Sequence, residues 1–523
     1  MTPATTRRGD GTSMLNPSSG PLARSPDTLD AKGARNREWA NQGTLILLVT
    51  VAAILRFAAL GRQPLWLDEA TDVAFAKQSF WNCVSAEVVH PPLYRVLLHY
   101  VVVQFGDSAV AMRFLPAVFG ILAVPAVALL ARRLFPTAGL TSTALAATSP
   151  FLIYFSQENR DYSLFILLTL LATWSFWRFC ESGRGLALYG GLSLLLLYTH
   201  NLAFFVLLAH EIVYWWRERR RVRDWMLARA AVLCAFAPWL VWTAAQYRSE
   251  SRLFVPPLLL LPGTLLRFFV GYGIAASDAL RKTESLRSKI VAEGPVVVPS
   301  FCLFLWLLLR GARRALVGAG ARILVAGMLL IPWATLVILA PWLRLTQERY
   351  FAFQAPFVLM LIAAGLGSLP EHGRFFASAM LALVIAFSLA AYYRAPGSAF
   401  GYRFLYGKEN WAGAAAFVRQ QRADTVILAP GYLNLPFDRY PRGESREIQT
   451  MGGSFAPPDL HDARRVALVL SHTGPAEDRL RDSLDAIYPQ IAQAIFPAQD
   501  MIRVVVYDAS APLPTAGNTQ LRH

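Results

Sequence analysis

The sequence contains little charge. Only 16% of its 523 residues are charged, whereas 55% are hydrophobic. A soluble globular protein carries about 25% charged residues, so this shortage argues against a soluble domain. Together with a mean hydropathy of +0.38, it predicts a protein that is embedded in a membrane.

Cysteine is also scarce and follows no pattern. The four cysteines have no metal-ligand spacing, and three of them lie inside apolar segments. Neither a disulfide framework nor a zinc site is therefore supported. The sequence likewise lacks a P-loop, a Rossmann glycine fingerprint, a G-x-S-x-G element and an H-E-x-x-H helix, so these families of enzymes are not indicated.

Acidic residues are fewer than basic ones, 34 against 50, which gives a net charge of +16. The arginines form short clusters between apolar segments, as in RERRRVR at Arg217–Arg223. Cytoplasmic loops of membrane proteins show this pattern under the positive-inside rule. The net charge therefore reports on membrane topology and does not indicate a nucleic-acid partner.

Apolar segments recur from Thr44 to Tyr393. A membrane-spanning helix needs about 20 apolar residues. We predict about eleven such helices, so the expected fold class is a polytopic α-helical membrane protein. The predicted spans are Thr44–Leu60, Phe114–Leu134, Leu140–Phe155, Leu164–Phe179, Leu186–Tyr198, Leu202–Trp216, Ala228–Ala245, Val296–Leu309, Ile323–Trp342, Phe351–Leu369 and Phe375–Tyr393.

The N-terminal segment 1–40 is predicted to be a disordered cytoplasmic tail. It is rich in Ser, Pro, Gly and Arg and lacks the apolar core of a signal peptide. With this end inside, the even-numbered connections are all basic, as at Arg132–Arg133 and Arg310–Arg322. This agreement with the positive-inside rule places the odd-numbered connections on the outer face.

The segment Pro92–Phe105 is apolar but has only about 14 residues, fewer than a span requires. It also contains Arg95 and His99. Counting it as a span would move the arginine clusters outside. We therefore predict that it forms a helix lying on the outer surface.

Hydropathy falls after Tyr393. The helical patterns ENWAGAAAFVRQQ and EDRLRDSLDAIYPQ occur among the strand patterns TVILAP, RVALVLS and IRVVVYD. This mixture predicts a small α/β domain over 399–510, on the outer face because the number of spans is odd, with a flexible tail over 511–523. The transmembrane module is predicted over 41–398, with its first outer loop at about 61–113.

The first outer loop contains two adjacent carboxylates, Asp68 and Glu69. Neighbouring residues on a helix point about 100° apart, so the two cannot both face one atom. One can act as a base while the other positions a partner or binds an ion. The alternative is an interfacial turn with two solvated carboxylates, although the surrounding apolar and Trp residues argue against simple solvation.

His90 begins the stretch HPPLY, which ends at Tyr94. Two prolines fix the backbone and end any preceding helix. His90 is therefore held near the membrane interface, where it could contact a phosphate. A purely structural histidine is the alternative.

Two further polar clusters lie at predicted outer ends of spans. SQENRDY contains Glu158, Arg160 and Tyr162, and QERY contains Arg349 and Tyr350. These groups could simply anchor the spans at the interface. Arginine on the outer face nevertheless runs against the positive-inside trend, which favours an anionic partner.

Together these groups suit a transfer from a lipid phosphate. Activated nucleotides are absent outside the cytoplasmic membrane, so a synthetic enzyme facing outward must take its activated substrate from the lipid phase. A carboxylate base would take the proton from an acceptor hydroxyl, and outer cations would stabilise the charge on a departing phosphate.

The stretches LDEA, HPPLY, AMRFLPAVFGILAVPAVALLARRLF and SPFLIYFSQENRDYSL occur in this order, and RYFAFQAPFVLML follows later. This order resembles bacterial glycosyltransferase family 39, a GT-C family related to protein O-mannosyltransferases and to aminoarabinose transferases of lipid A. The C-terminal stretch ENWAGAAAFVRQQRADTVILAPGY is similar to the outer domain of such bacterial proteins.

The resemblance implies a polyprenyl-phosphate sugar donor, inversion at the anomeric carbon and a catalytic acid in the first outer loop. By this likeness Asp68 is the general base and Glu69 its partner. For Arg113, loop architecture is an alternative to donor contact. The residues predicted to bind the donor phosphate are His90, Arg113, Arg160 and Arg349.

The sequence departs from the relatives in two respects. It has fewer predicted spans than aminoarabinose transferases, and it shows no β-trefoil repeat like that of eukaryotic protein mannosyltransferases. These departures favour neither lipid A nor protein as the acceptor, which is left as a glycan, lipid or protein.

The prediction is thus an inverting glycosyltransferase of the bacterial cytoplasmic membrane that uses a polyprenyl-phosphate sugar. The sequence indicates no certain cofactor; Asp68 and Glu69 could hold a divalent ion, and no further ligand set is evident. The residues predicted to contact the acceptor or line the pocket are Tyr94, Glu158, Tyr162 and Tyr350.

Two rival functions involve no catalysis. A carrier of lipid-linked sugars should bury ionisable groups near the middle of the membrane, and His210 and Glu211 in LLAHEIVYWW fit that pattern. A scaffold that only binds a lipid-linked sugar would keep its function after Asp68→Asn.

Overall fold

The computed structural model describes residues 26–86, 90–219, 221–246, 257–271, 286–314, 318–339, 348–393, 408–449, 460, 462–496 and 501–513. The chain divides into two compact units, Met1–Leu47 and Leu48–His523. Every residue of the candidate site belongs to the second unit.

Helices make up most of the described chain up to Tyr393. A π-helical turn, Tyr214–Glu218, follows the helix Ala203–Val213, and a 3₁₀ helix, Glu348–Gln354, precedes the helix Ala355–Gly367. The helices are α1 Pro26–Phe57, α2 Leu67–Ala76, α3 Phe80–Ser85, α4 Leu93–Phe105, α5 Ala109–Leu134, α6 Gly139–Thr148, α7 Pro150–Ser156, α8 Tyr162–Ser182, α9 Leu186–Thr199, α10 Ala203–Val213, α11 Val222–Gln246, α12 Pro257–Val270, α13 Leu286–Arg314, α14 Gly318–Leu339, α15 Ala355–Gly367 and α16 Glu371–Tyr393.

Six helical stretches in the described residues are long and apolar enough to cross a membrane, and they include α5, α8, α11 and α16. Shorter apolar helices of 10–17 residues accompany them, among them α9 and α4. The predicted membrane-protein character is thus confirmed, whereas the count of about eleven spans stays a prediction. α1 begins at Pro26, inside the segment predicted as a tail, and residues 1–25 lie outside the described residues.

The predicted span Leu140–Phe155 is interrupted at Ser149 and Pro150, where α6 ends and α7 begins. Proline lacks the N–H that would continue the helical hydrogen bonds, and the Ser149 hydroxyl accepts from the N–H of Leu152 at 3.3 Å. The break leaves helix carbonyls without partners. The buried Arg56 guanidinium satisfies two of them, donating to Ala146 O at 3.1 Å and Ala147 O at 2.9 Å.

Three short helices, α2, α3 and α4, connect α1 to α5 and form the predicted first outer loop. α4 has 13 residues and is therefore about 20 Å long, shorter than the hydrocarbon core of about 30 Å. It packs against α2, α3 and α5. This length agrees with a helix that does not span the membrane, and its location on the outer surface stays a prediction.

The described C-terminal residues contain a mixed five-stranded sheet in the order β2-β1-β3-β5-β4. β1 runs parallel to β2 and β3, whereas β5 is antiparallel to β3 and β4. The helices and strands of this C-terminal part are α17 Trp411–Gln420, β1 Thr425–Ala429, α18 Asn434–Phe437, β2 Arg446–Gln449, β3 Arg465–Leu470, α19 Pro475–Ile487, β4 Gln490–Phe496 and β5 Ile502–Asp508.

Apolar side chains cover both faces of this sheet. Trp411 and Val418 of α17 lie in the core of one face, and Leu480 and Leu484 of α19 lie in the core of the other. The strand patterns found in the sequence correspond to β1, β3 and β5, and the helical patterns to α17 and α19. That this part forms a separate outer domain stays a prediction.

α13 and α15 pack closely at two glycines. A Cβ at Gly365 would overlap the carbonyl oxygen of Leu307, and one at Gly311 would overlap that of Leu361. Small residues allow such close backbone approach between membrane helices. This contact holds α15, and with it the 3₁₀ helix that carries Arg349, against α13.

We expect Gly365→Val to destabilise the protein by about 1–3 kcal/mol, because overpacking at this contact must push the two backbones apart. The measurement is the midpoint of thermal unfolding in detergent. Gly191→Ala is the control, since nothing lies within 4 Å of a Cβ there. An unfolding midpoint for G365V equal to that of G191A would contradict the close contact.

Candidate active site

α2 carries Asp68 and Glu69 in its first turn, where a helix dipole favours negative charge. The two carboxylates were expected not to face one atom, and their different burial agrees with this expectation. Glu69 is fully buried, whereas the Asp68 side chain is 28% exposed. The two adjacent carboxylates therefore occupy different environments.

Glu69 is the centre of a buried ion cluster. Its Oε1 accepts from Arg113 Nε at 2.8 Å and from the Asn159 N–H at 2.7 Å, and its Oε2 accepts from Arg113 Nη2 at 2.7 Å. Lys408 Nζ lies 2.8 Å from Oε1. Burial alone would raise the pKa of Glu69, but Arg113 and Lys408 outweigh it and lower the pKa to about 2.

Arg113 has no donor left for a phosphate. Nη1 donates to Leu60 O at 3.1 Å and Gln63 O at 2.8 Å, while Nη2 donates to Pro64 O at 3.0 Å. With the two bonds to Glu69, all five guanidinium N–H groups are used. The geometry therefore favours the loop-architecture role predicted for Arg113 over the donor-phosphate role.

Asp68 faces a cation. Arg349 Nη2 lies 3.1 Å from Asp68 Oδ2, and the Arg349 guanidinium also lies 5.0 Å from the centre of a Trp66 ring. Burial would raise the pKa of Asp68, but Arg349 and Arg160 lower it below its ordinary value. Asp68 is therefore ionised at neutral pH. With 28% of its side chain exposed, Asp68 can still be reached from outside the protein.

Asp72 was not found from the sequence, although it follows Asp68 by four residues and so lies on the same face of α2. It is buried, and its Oδ2 accepts from Arg160 Nη1 at 2.8 Å. Burial raises the pKa of Asp72 to about 6, despite the opposing effect of Arg160. The spacing of four was the signal that could have revealed it.

His90 lies against Arg160. The His90 Nε2 is 3.3 Å from Arg160 Nη2, and a guanidinium only donates, so this nitrogen carries no proton. Burial and the neighbouring Arg160 hold the pKa of His90 well below its ordinary value. His90 is therefore neutral and holds Arg160, rather than adding a charge for a phosphate.

Three buried polar side chains surround the start of α8. Glu158 Oε2, Asp161 Oδ1 and Tyr162 Oη have no hydrogen-bond partner within the described residues. Burial raises the pKa of Glu158 to about 7 and that of Asp161 to about 6. An unsatisfied buried polar atom costs about 1–3 kcal/mol, so these atoms indicate a place for a polar ligand.

The other predicted pocket residues differ in their contacts. The Tyr94 hydroxyl donates to Asn159 Oδ1 at 2.7 Å and so orients the residue that binds Glu69. Tyr350 is partly exposed, with the Arg349 guanidinium 6.0 Å from its ring centre. Tyr94 therefore supports the ion cluster, whereas Tyr350 lies beside the cation that faces Asp68.

Besides Asp72, the structure adds three residues that the sequence did not reveal. Lys408 pairs with Glu69, Glu409 lies in the adjacent position, and His472 Nε2 lies 2.7 Å from Glu409 Oε1. All three come from the C-terminal part of the chain, and no periodic pattern marks them. Among the described residues, no group of three or more His, Cys, Asp or Glu side chains could hold a metal ion.

Residues 89–242 match the family model described as dolichyl-phosphate-mannose-protein mannosyltransferase. No curated protein matches the chain. The fold is similar to that of ArnT from Cupriavidus metallidurans in the apo state, at 13% identity and a TM-score of 0.55. That match covers 89% of this chain and 98% of ArnT.

Two other solved structures are similar. ArnT from Cupriavidus metallidurans bound to undecaprenyl phosphate matches at 12% identity and a TM-score of 0.51, over 90% of this chain and 98% of that chain. The Archaeoglobus fulgidus oligosaccharyltransferase tethered with an acceptor peptide matches at 11% identity and a TM-score of 0.51, over 88% and 73%. At such identities the likeness concerns the fold, and the predicted resemblance to GT-C glycosyltransferases is confirmed.

We expect Glu69→Gln to destabilise the protein by about 3–5 kcal/mol, because removing one partner of a buried ion pair leaves the other charge uncompensated. The measurement is the midpoint of thermal unfolding in detergent. Glu371→Gln, which changes an exposed carboxylate on α16, should leave the midpoint unchanged. Equal unfolding midpoints for E69Q and wild type would contradict the stabilising role of Glu69 in the buried ion cluster.

Proposed function

We propose that this membrane protein, which has the GT-C fold, is an inverting glycosyltransferase. It moves a sugar from a polyprenyl-phosphate donor to a hydroxyl of a glycan, lipid or protein on the outer face of the cytoplasmic membrane. The match to dolichyl-phosphate-mannose-protein mannosyltransferases and the fold shared with ArnT bound to undecaprenyl phosphate support a lipid-phosphate donor.

The observation that carries the proposal is the pairing of an ionised, partly exposed Asp68 with Arg349 at 3.1 Å. In the proposed reaction, the acceptor hydroxyl gives its proton to Asp68 and its oxygen bonds to the anomeric carbon. The bond from that carbon to the phosphate oxygen breaks on the opposite side, so the configuration inverts. The electron pair leaves with the phosphate, whose charge the arginines stabilise.

Arg349 and Arg160 can serve the phosphate because each retains a donor. Within the described residues the Nε of both arginines is buried and has no partner, whereas their terminal nitrogens bind Asp68 and Asp72. A guanidinium suits a phosphate since it presents several donors in a plane. His90 supports this role by holding Arg160.

The sugar and acceptor hydroxyls are proposed to bind at Glu158 and Tyr162, with Tyr350 at the rim. Glu158 and Tyr162 each bring a buried polar atom that lacks a partner within the described residues. Hydroxyl groups can both donate and accept, so they match a carboxylate as well as a phenol. Tyr94 contributes indirectly, through Asn159.

The proposed topology follows from the charge pattern. The N-terminus lies in the cytoplasm, the module over 41–398 spans the membrane, and the C-terminal part over 399–510 lies outside with a tail over 511–523. Basic connections on one side support this orientation. The contact between Lys408 and Glu69 supports placing the C-terminal part on the same side of the membrane as the first loop.

A carrier without catalysis is not favoured. Its strongest sequence feature was the pair His210 and Glu211. His210 lies between Tyr189 Oη at 2.9 Å and Thr173 Oγ1 at 3.1 Å. Glu211 accepts from Trp225 Nε1 at 3.0 Å and lies 3.3 Å from an arginine, so both residues have structural partners.

We expect Asp68→Asn to reduce transfer by about 10²–10⁴-fold, as for loss of a general base. The measurement is transfer from radiolabelled polyprenyl-phosphate sugars to an extracted envelope fraction by purified protein. Asp107→Asn, at a 38% exposed side chain, is the control and should transfer as wild type does. Equal transfer by D68N and wild type would remove Asp68 from the mechanism.

We expect Arg349→Gln to weaken binding of the donor by about 10–100-fold, the effect of losing a hydrogen bond to a charged group. It should also move the acidic limb of kcat/KM to higher pH, because Arg349 lowers the pKa of Asp68. Arg62→Gln, at an exposed arginine that donates to Tyr393 O, should change neither. An acidic limb that does not move would contradict the pairing of Arg349 with the base.

A further inference from the structure

Two consecutive residues of the C-terminal part hold the residues on either side of Asp68. Glu409 Oε2 accepts from the N–H of Leu67 at 3.0 Å, and Lys408 Nζ lies 2.8 Å from Oε1 of Glu69. Both side chains are buried. Asp68 therefore lies between two residues that are anchored from the same distant segment.

Each anchor is itself braced. Lys408 Nζ also donates to Gln157 O at 3.3 Å. Glu409 Oε2 accepts from Trp411 Nε1 at 2.6 Å, and Glu409 Oε1 lies 2.7 Å from His472 Nε2. Glu409 is therefore fixed by α17 and by His472, and Lys408 is fixed by the backbone of Gln157.

α2 needs such anchors. It has only 10 residues, and a helix shorter than about 12–15 residues is marginal without tertiary contacts. The residue before it, Trp66, has no side-chain acceptor for the N–H groups of the first turn. Glu409 accepts one of these N–H groups in place of a local capping side chain.

We infer that Lys408 and Glu409 are positioning residues for Asp68: they fix the first turn of α2 and so hold the Asp68 carboxylate against Arg349. The inference rests on the proposed glycosyl transfer. It adds a role for the C-terminal part, which would complete the geometry of the base without touching the reacting atoms.

The competing explanation is that Lys408 and Glu409 only attach the C-terminal part to the rest of the protein. A second contact between the same two parts provides a matched control. Arg439 donates to Asp107 O at 2.5 Å and to Asp107 Oδ2 at 3.2 Å. This contact joins the same two parts of the chain but does not involve the first turn of α2; Asp107 also pairs with Lys77, which follows the last turn of α2, and Arg439→Gln leaves that pair in place. If attachment alone matters, Arg439→Gln should be as harmful as Lys408→Met.

The charge of Lys408 also makes the positioning role testable by its dependence on pH. Its ammonium faces Glu69, Glu158 and Arg113, and burial with Arg113 lowers the pKa of Lys408 to about 8 despite the two carboxylates. Above that pH the anchor to Glu69 loses its charge. Arginine keeps its charge at every accessible pH.

The experiment compares Lys408→Met, Lys408→Arg, Glu409→Gln and Arg439→Gln in the full-length protein. Transfer kinetics are measured from pH 6 to pH 10, and hydrogen exchange of α2 is followed by mass spectrometry. A misplacement of about 1 Å costs about 10²-fold in rate, so K408M and E409Q should lose about that factor in kcat while the KM for the donor stays nearly constant. R439Q should keep the kcat of wild type.

Two further results are expected. Exchange of the α2 amides should rise in K408M and E409Q but not in R439Q, and K408R should retain activity above pH 8 better than wild type. The inference is overturned if kcat and α2 exchange in K408M match R439Q, or if the loss lies wholly in KM. If the wild type transfers no sugar, the proposed function fails, while α2 exchange still decides whether Lys408 and Glu409 hold the helix.

Discussion

The carboxylate of Glu69 joins four parts of the chain that are distant in sequence. Arg113 brings α5, Asn159 the loop before α8, and Lys408 the C-terminal part. A buried charge costs several kcal/mol unless it is paired and hydrogen-bonded. Removing any one of these partners would therefore destabilise the whole cluster. The arrangement of the first loop, and hence the position of Asp68, depends on this one interaction.

Helix geometry divides the work between two neighbouring carboxylates. Because they point about 100° apart, Glu69 is buried in the protein whereas Asp68 is partly exposed. Glu69 has a pKa of about 2 and every oxygen engaged, which suits a permanent structural anion. Asp68 is ionised but partly exposed, and it pairs with Arg349 through Oδ2. Chemically similar side chains thus serve as support and as proposed base.

Local features of the site could be predicted from the sequence, and distant ones could not. The Asp-Glu pair and the stretch SQENRDY were visible because each is contiguous, and the helix rule correctly separated the two carboxylates. Which of them is buried depends on Arg113 and Lys408, which no local pattern connects to Glu69. β4 was missed because it is an edge strand in which no residue is buried, so its apolar residues form no buried strand pattern. The break at Pro150 was missed because hydropathy continues across it.

The contact between Leu67 and Glu409 spans 342 positions in the sequence, and this separation has a consequence for biosynthesis. At about 5–20 residues per second, the ribosome needs roughly 20–70 s to reach Glu409 after making Leu67. During that interval the first loop can enter the membrane region, yet the helix that carries Asp68 lacks its distant anchors. Under the proposed function and positioning role, a nascent chain would lack a correctly placed base until its C-terminal part folds back.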